Sequence, residues 1–126
     1  MSTVQSNKET AVAFLQLAIS GHSAKAYSAC VRHDFIHHNP HFKGDAQSLM
    51  QAMQENAENN PCAALEVQTC LQDGDRVAVH SRVIHKPGDP GIAVVHLFRF
   101  VDGLIVELWD IAQAVPAQSP NQHGMF

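Results

Sequence analysis

The sequence predicts an α+β domain in which helices pack on one face of a curved antiparallel sheet. Three observations carry that expectation. Apolar residues recur at helical spacing in three segments before Pro61, the pattern turns alternating from Ala64, and Asp102-Gly103 joins two apolar runs as a tight hairpin would. A helix brings like residues together every three or four positions and a strand every second, so a change of period marks a change of element.

The first helix starts at Ser6-Asn7-Lys8-Glu9, a capping box in which the serine oxygen and the glutamate carboxylate satisfy free amides at the helix end. It is expected over roughly residues 7 to 20, with Ala11, Phe14, Leu15, Ala18 and Ile19 inward and Gly21 ending it. Ser23 is placed to cap a second helix that ends before Asp34 and turns Tyr27, Cys30 and Val31 inward. Phe35-Ile36-His37-His38-Asn39-Pro40 reads as a loop or short strand, because Pro40 drives Asn39 towards an extended conformation. Asp45 can open a third helix that buries Ala46, Leu49, Met50, Met53 and Ala57 and closes at Asn59-Asn60-Pro61.

In the first strand Leu65, Val67, Thr69 and Leu71 alternate with Glu66, Gln68, Cys70 and Gln72, and Asp73-Gly74-Asp75 turns the chain. The second runs from Arg76 to about Lys86, and Pro87-Gly88-Asp89-Pro90-Gly91 is a connection. The third runs from Ile92 to Val101. Asp102-Gly103 suits a type I′ turn, whose positive φ angles Asp and Gly tolerate, so the strand from Leu104 pairs antiparallel with the third. Beyond Gln113 no period remains, although apolar Met125 and Phe126 suggest that the end docks.

A chain of 126 residues is expected to be a single domain, 1–126, able to bury a core and a pocket within it. With 45% hydrophobic and only 16% charged residues, most of it belongs inside a compact fold. A formal net charge of −4 with eight Lys and Arg, none in a run, argues against nucleic acid and anionic membranes as partners. Cys30, Cys62 and Cys70 show neither a disulfide framework nor zinc-thiolate spacing. The start, Met-Ser-Thr-Val-Gln-Ser-Asn-Lys-Glu, lacks a basic stretch leading into an apolar one, and no run has the ~18 apolar residues of a membrane span, which together suggest the cytoplasm.

The stretch Leu104 to Gln113 is apolar nearly throughout yet carries two carboxylates. Strand alternation groups Val106, Leu108, Asp110 and Ala112 on one face and Ile105, Glu107, Trp109 and Ile111 on the other. An aspartate in an apolar row is paired, reaches water at the strand end, or has its ionised form disfavoured, which is what a general base near neutral pH requires. On the preceding strand His96 shares its face with Ile92, Val94, Phe98 and Phe100, either as a core imidazole or as part of a pocket wall beside Asp110. His80 lies in a more mixed row with Ala78, Arg82 and Ile84. His33, His37, His38 and His41 cluster before the third helix, but they follow no HExxH pattern and break at Pro40, so no bound metal is expected. A phosphate-binding glycine loop, a GxSxG elbow and a cysteine set beside a base are all missing, which disfavours nucleotide and nucleophilic chemistry.

Three features coincide: Phe-Ile-His-His-Asn-Pro at 35–40, Phe-Arg-Phe-Val-Asp-Gly-Leu-Ile-Val-Glu-Leu-Trp-Asp at 98–110, and the tail Asn-Gln-His-Gly-Met-Phe. Together they resemble the SnoaL-like polyketide cyclase family of the nuclear transport factor two-like superfamily. The resemblance implies a cone-shaped curved antiparallel sheet wrapped by three N-terminal helices. It also implies cofactor-free chemistry on a small apolar carbonyl compound, by proton abstraction next to the carbonyl, leading to intramolecular aldol cyclisation or to isomerisation. Asp110 matches the strand aspartate that serves as base in the cyclases, and His38 matches the histidine of the His-Asn-Pro segment at the pocket mouth. With His96 they form the expected catalytic set, and His80, Phe98, Leu108 and Asn39 are the expected substrate-binding positions. Leu108 departs from relatives that carry His before Trp-Asp. The same fold hosts non-catalytic binding proteins, which use the pocket without a base, and scaffolds, which use the sheet's outer face. That face, with Ile105, Trp109 and Ile111, is expected to pair two copies of the chain.

Overall fold

A computed structural model describes residues 5–126; residues 1–4, part of the N-terminus read above as leaderless, lie outside the described residues. The chain runs α1 (Asn7–Ile19), α2 (Ser23–Cys30), β1 (Val31–His37), α3 (Ala46–Asn59), β2 (Ala64–Asp73), β3 (Arg76–Ile84), β4 (Ile92–Val101) and β5 (Leu104–Ala114). The five strands form one open sheet in the order β1-β5-β4-β3-β2. The three helices pack on one face of the meander, as the change of period predicts.

The capping box forms as expected, with Glu9 N–H donating to Ser6 Oγ and Ser6 N–H to Glu9 Oε1, both at 3.1 Å. Such a cap contributes about 1 kcal/mol. Gly21 follows α1 with φ +89°, a left-handed conformation that glycine adopts without strain. At α2 the cap position falls on His22 rather than Ser23, and no side chain caps it. Ser23 N–H instead donates to Gln54 Oε1 of α3 at 3.2 Å, tying the two helices together. Asp45 caps α3 by accepting from Ser48 N–H at 3.2 Å.

Of the segment read as a loop or short strand, Phe35, Ile36 and His37 are the end of a longer strand, β1, which pairs parallel with β5 and so makes the sheet mixed, while His38, Asn39 and Pro40 lie beyond it. Val31, expected inside the second helix, is its first residue. Behind the sheet, Phe14 meets Tyr27 and Phe98 edge-on at 5.2 and 5.9 Å, and Tyr27 meets Phe35 at 5.9 Å. This aromatic chain joins α1, α2, β1 and β4, so truncating Phe14 to Ala should cost about 3–5 kcal/mol.

Bulges reset which side chains face inward. In β2 the register shifts between Val67 and Thr69, so Leu65 and Val67 sit opposite Val83 and Ser81 whereas Thr69 and Leu71 sit opposite His80 and Ala78 on the outer face. In β5 Val106 is the extra residue: Phe100 pairs with Ile105, but Arg99 already pairs with Glu107. Ile105 is therefore in the core at 0% exposure, not in the outer row where strict alternation placed it. The Asp102-Gly103 turn has φ +50° and +80°, as a type I′ hairpin requires. The C-terminal end docks on its own chain: the Phe126 ring stacks on His80 at 6.2 Å and lies under the Arg82 guanidinium at 5.0 Å, on the outer face. Among the described residues no helix is long and apolar enough to cross a membrane.

Candidate active site

Between the helices and one end of the sheet lies a cavity of about 680 Å³. Its walls are mostly hydrocarbon, from Leu15 of α1, Leu49 and Met53 of α3, and Val94 of β4, with aromatic Phe42 from the loop before α3. Six polar residues reach it: Asn39, His41, Asn56, His85, His96 and Asp110. The lining contains no lysine or arginine.

Asp110 and His96 face each other across β5 and β4 as directly paired residues. Side chains of such a pair point to the same face with their Cβ atoms about 4.5–5.5 Å apart. His96 is 8% exposed, and burial pushes its pKa down to about 4, with the Asp110 charge opposing that shift. The ring is therefore neutral at pH 7. Its Nδ1 is enclosed without a partner, and Nε2 also has no hydrogen bond among the described residues but is not enclosed. A proton on Nε2 leaves only the enclosed Nδ1 lone pair unsatisfied, at lower cost than an orphaned N–H donor.

Asn39 reaches Asp110 from the opposite edge of β5, its Nδ2 donating to Oδ2 at 3.0 Å. The same amide's Oδ1 accepts from His41 N–H at 3.0 Å, and the Asn39 backbone N–H donates to His37 Nδ1 at 3.2 Å. Beneath them the Tyr27 phenol donates to Met53 Sδ at 3.5 Å. Its pKa is pushed up by burial first and by the Asp110 charge second, so it stays protonated.

Three of the seven expected site positions line this cavity, Asp110, His96 and Asn39, and four do not. His38 is the largest correction. The chain extends from His37 to Asn39, so neighbouring side chains alternate, and with His37 turned inward at 5% exposure His38 points to the outer face. There its Nε2 meets Glu107 Oε2 at 2.6 Å and its ring stacks on Trp109 at 4.8 Å. His80 also lies on the outer face, under Phe126. Phe98 and Leu108 face inward, but at 0% and 1% exposure they are core beneath the cavity floor rather than its wall.

Sequence reasoning passed over His41, Asn56 and His85 as cavity residues and read Tyr27 only as core. A signal existed for Asn56, which continues the helical spacing of Leu49 and Met53 on α3. His85 carried one too: in a strand running to about Lys86 it continues the row of Val77, Val79 and Val83, which faces inward, although β3 itself ends at Ile84. Among the described residues no three His, Cys, Asp or Glu side chains converge as a metal would need.

Residues 11–108 match the SnoaL-like domain family. No curated protein matches the chain by sequence. Among solved structures, an NTF2-like protein of unknown function from Cytophaga hutchinsonii superposes with a TM-score of 0.72 at 16% identity, over 90% of this chain and 95% of that one. IdmH from Streptomyces antibioticus, assigned provisionally as a polyketide cyclase, gives 0.68 at 21% identity, over 86% and 93%. A provisional isomerase of the SnoaL-like family from Agrobacterium tumefaciens gives 0.70 at 11% identity, over 87% and 100%. At these identities the superpositions establish a shared NTF2-like fold.

Proposed function

The chain belongs to the SnoaL-like domain family, and from that premise we propose that it is a cofactor-free enzyme that removes a proton next to the carbonyl of a small, neutral, apolar compound. The observation that carries this reading is the Asp110–His96 pair: a carboxylate with no lysine or arginine among the described residues lining its cavity, opposite a neutral imidazole, between mostly hydrocarbon walls. Asp110 takes the α-proton. The Nε2–H of His96 donates to the carbonyl oxygen as it becomes an enolate. A neutral donor suits this role because it stabilises developing negative charge without having already neutralised the base beside it.

The enolate then either attacks a second carbonyl of the same molecule, closing a ring, or regains a proton at another carbon. Asp110 returns its proton to the new alkoxide in the first case and to that carbon in the second, which restores the carboxylate. The hydrocarbon walls and the lack of lysine or arginine favour an uncharged substrate, and a volume of about 680 Å³ lies within the ordinary range of small-molecule sites. The experiment is solvent-deuterium exchange into a panel of neutral ketones, followed by NMR. Wild-type protein should label the α-carbon of the ketones that fit. Binding without labelling, or labelling at the rate of buffer alone, would replace the enzyme with a small-molecule-binding protein of the same fold.

A further inference from the structure

We infer that Asn39 is a positioning residue that selects which oxygen of Asp110 acts as the base. This rests on the proton-abstraction reading above and deepens it. An aspartate carboxylate has two equivalent oxygens, and it is a well-directed base only if one is occupied and the other is aimed at substrate. Asn39 Nδ2–H donates to Oδ2 at 3.0 Å. Oδ1 has no hydrogen-bond partner among the described residues, in a side chain that lines the cavity. The abstracted proton must settle on Oδ1, because Oδ2 already faces an N–H.

The amide is locked in that sense. Its oxygen accepts from His41 N–H at 3.0 Å, so the group cannot flip to present its carbonyl to the carboxylate without losing that bond. Its backbone is held in turn by the bond from Asn39 N–H to His37 Nδ1 at 3.2 Å, and His37 itself is 5% exposed. Pro40, next in sequence, restricts Asn39 to extended backbone angles. The arrangement is thus pre-organised before any substrate binds, with the amide N–H already directed at one of the two carboxylate oxygens.

The titratable groups around Asp110 come from four elements: His96 of β4, Tyr27 of α2, His41 of the loop before α3, and His85 just past β3. Variants at Asn39 leave all four in place. Asn39→Asp keeps an oxygen for the His41 amide but sets a second carboxylate against Asp110. Asn39→Ser keeps a shorter acceptor for that amide and removes the donor to Asp110. Both are compared with wild type for ketone deuterium exchange across pH and for the titration of the Asp110 carboxyl carbon by NMR in ligand-free protein.

In Asn39→Asp the acid limb of the exchange profile and the Asp110 titration should both move up by about one pH unit or more, because like charges oppose ionisation. In Asn39→Ser the limb should move the same way by less, and kcat should fall about tenfold or more while KM changes little, as expected for a lost hydrogen bond to a charged group. Folded variants whose limb and titration coincide with wild type would overturn the inference and leave Asn39 as a turn-former only. Absence of exchange in wild type would sink the proton-abstraction reading instead. The ligand-free titration would still decide whether Asn39 holds the carboxylate, since it needs no turnover.

Discussion

Glu107 and Asp110 stand three residues apart on one strand and on opposite faces of the sheet. On the outer face Glu107 receives two cationic or potentially cationic donors: Arg99 Nε to Oε1 at 2.9 Å and His38 Nε2 to Oε2 at 2.6 Å. The His38 bond first, with Arg99 adding, holds its carboxyl below the usual range. On the inner face Asp110 receives one amide N–H and faces a neutral ring in a hydrocarbon pocket. The first carboxylate has both oxygens occupied and nothing left to offer a ligand. The second keeps one oxygen without a partner among the described residues, on the wall of a mostly apolar cavity. Two similar side chains on one strand thus separate into a structural ion cluster and a candidate base, and the separation comes from partners rather than from residue type.

Exchanging the two carboxylates for amides is the strongest way to break that comparison. Asp110→Asn should lower α-proton exchange by about 10²- to 10⁴-fold, the usual contribution of a general base. Glu107→Gln should leave exchange nearly unchanged. Equal losses in the two variants would mean that Asp110 has no special role.

The next effect is on stability against pH. His96 has a folded-state value of about 4 against an ordinary 6.5, so the unfolded chain binds the extra proton more readily. The sign follows: stability is fully present above pH 6.5 and is lost as pH falls towards 4. The loss amounts to roughly 3 kcal/mol at most. Chemical denaturation at pH 7.5 and 4.5 should show it in wild type and show much less in His96→Gln; a loss of equal size in both would assign it to other groups.

A smaller effect is expected on the outer face. His38→Ala removes one partner of Glu107 and the ring on Trp109, both partly exposed to water, and should cost about 1 kcal/mol or less by denaturant titration. Its exchange rate should stay within a few-fold of wild type. A hundredfold loss would return His38 to the catalytic set.

The smallest effect on the cavity should come from Ile111→Asp. On the outer face Leu71, Val95 and Ile111 are 64%, 37% and 71% exposed, beside Leu97 and Trp109, and we propose that a second copy of the chain covers this row. Sedimentation velocity should then give a dimer for wild type and a monomer for Ile111→Asp, with ketone exchange in the variant little altered. A wild-type monomer at micromolar concentration would refute the pairing.

Much of the fold was legible because its signals are local. The capping box, the Asp45 cap, the three helical stripes and the Asp102-Gly103 turn each depend on residues within a few positions of one another. β1 was harder to read, since its strand character comes from pairing with β5, far away in sequence. The candidate site divides in the same way. Asp110 and His96 announced themselves as polar residues in apolar rows, whereas the outward turn of His38 and the engagement of Asn39 depend on how β1 lies along β5.

What the sequence determined by itself was the set of elements, the apolar character of β4 and β5, and the presence of charge within them. Which carboxylate faces the cavity was decided only in the tertiary structure. A two-residue turn pairs Val101 with Leu104 and Phe100 with Ile105, and continuing that register would set His96 against Trp109, with Glu107 inside and Asp110 outside. The bulge at Val106 moves the pairing by one residue, and because strand side chains alternate with a period of two, that one step turns the rest of β5 over and brings Asp110 opposite His96. Alternation along β5 is local, but the sense in which it meets β4 depends on packing: Ile105 and Leu108 both reach the core, at 0% and 1% exposure, only when an extra residue lies between the two registers.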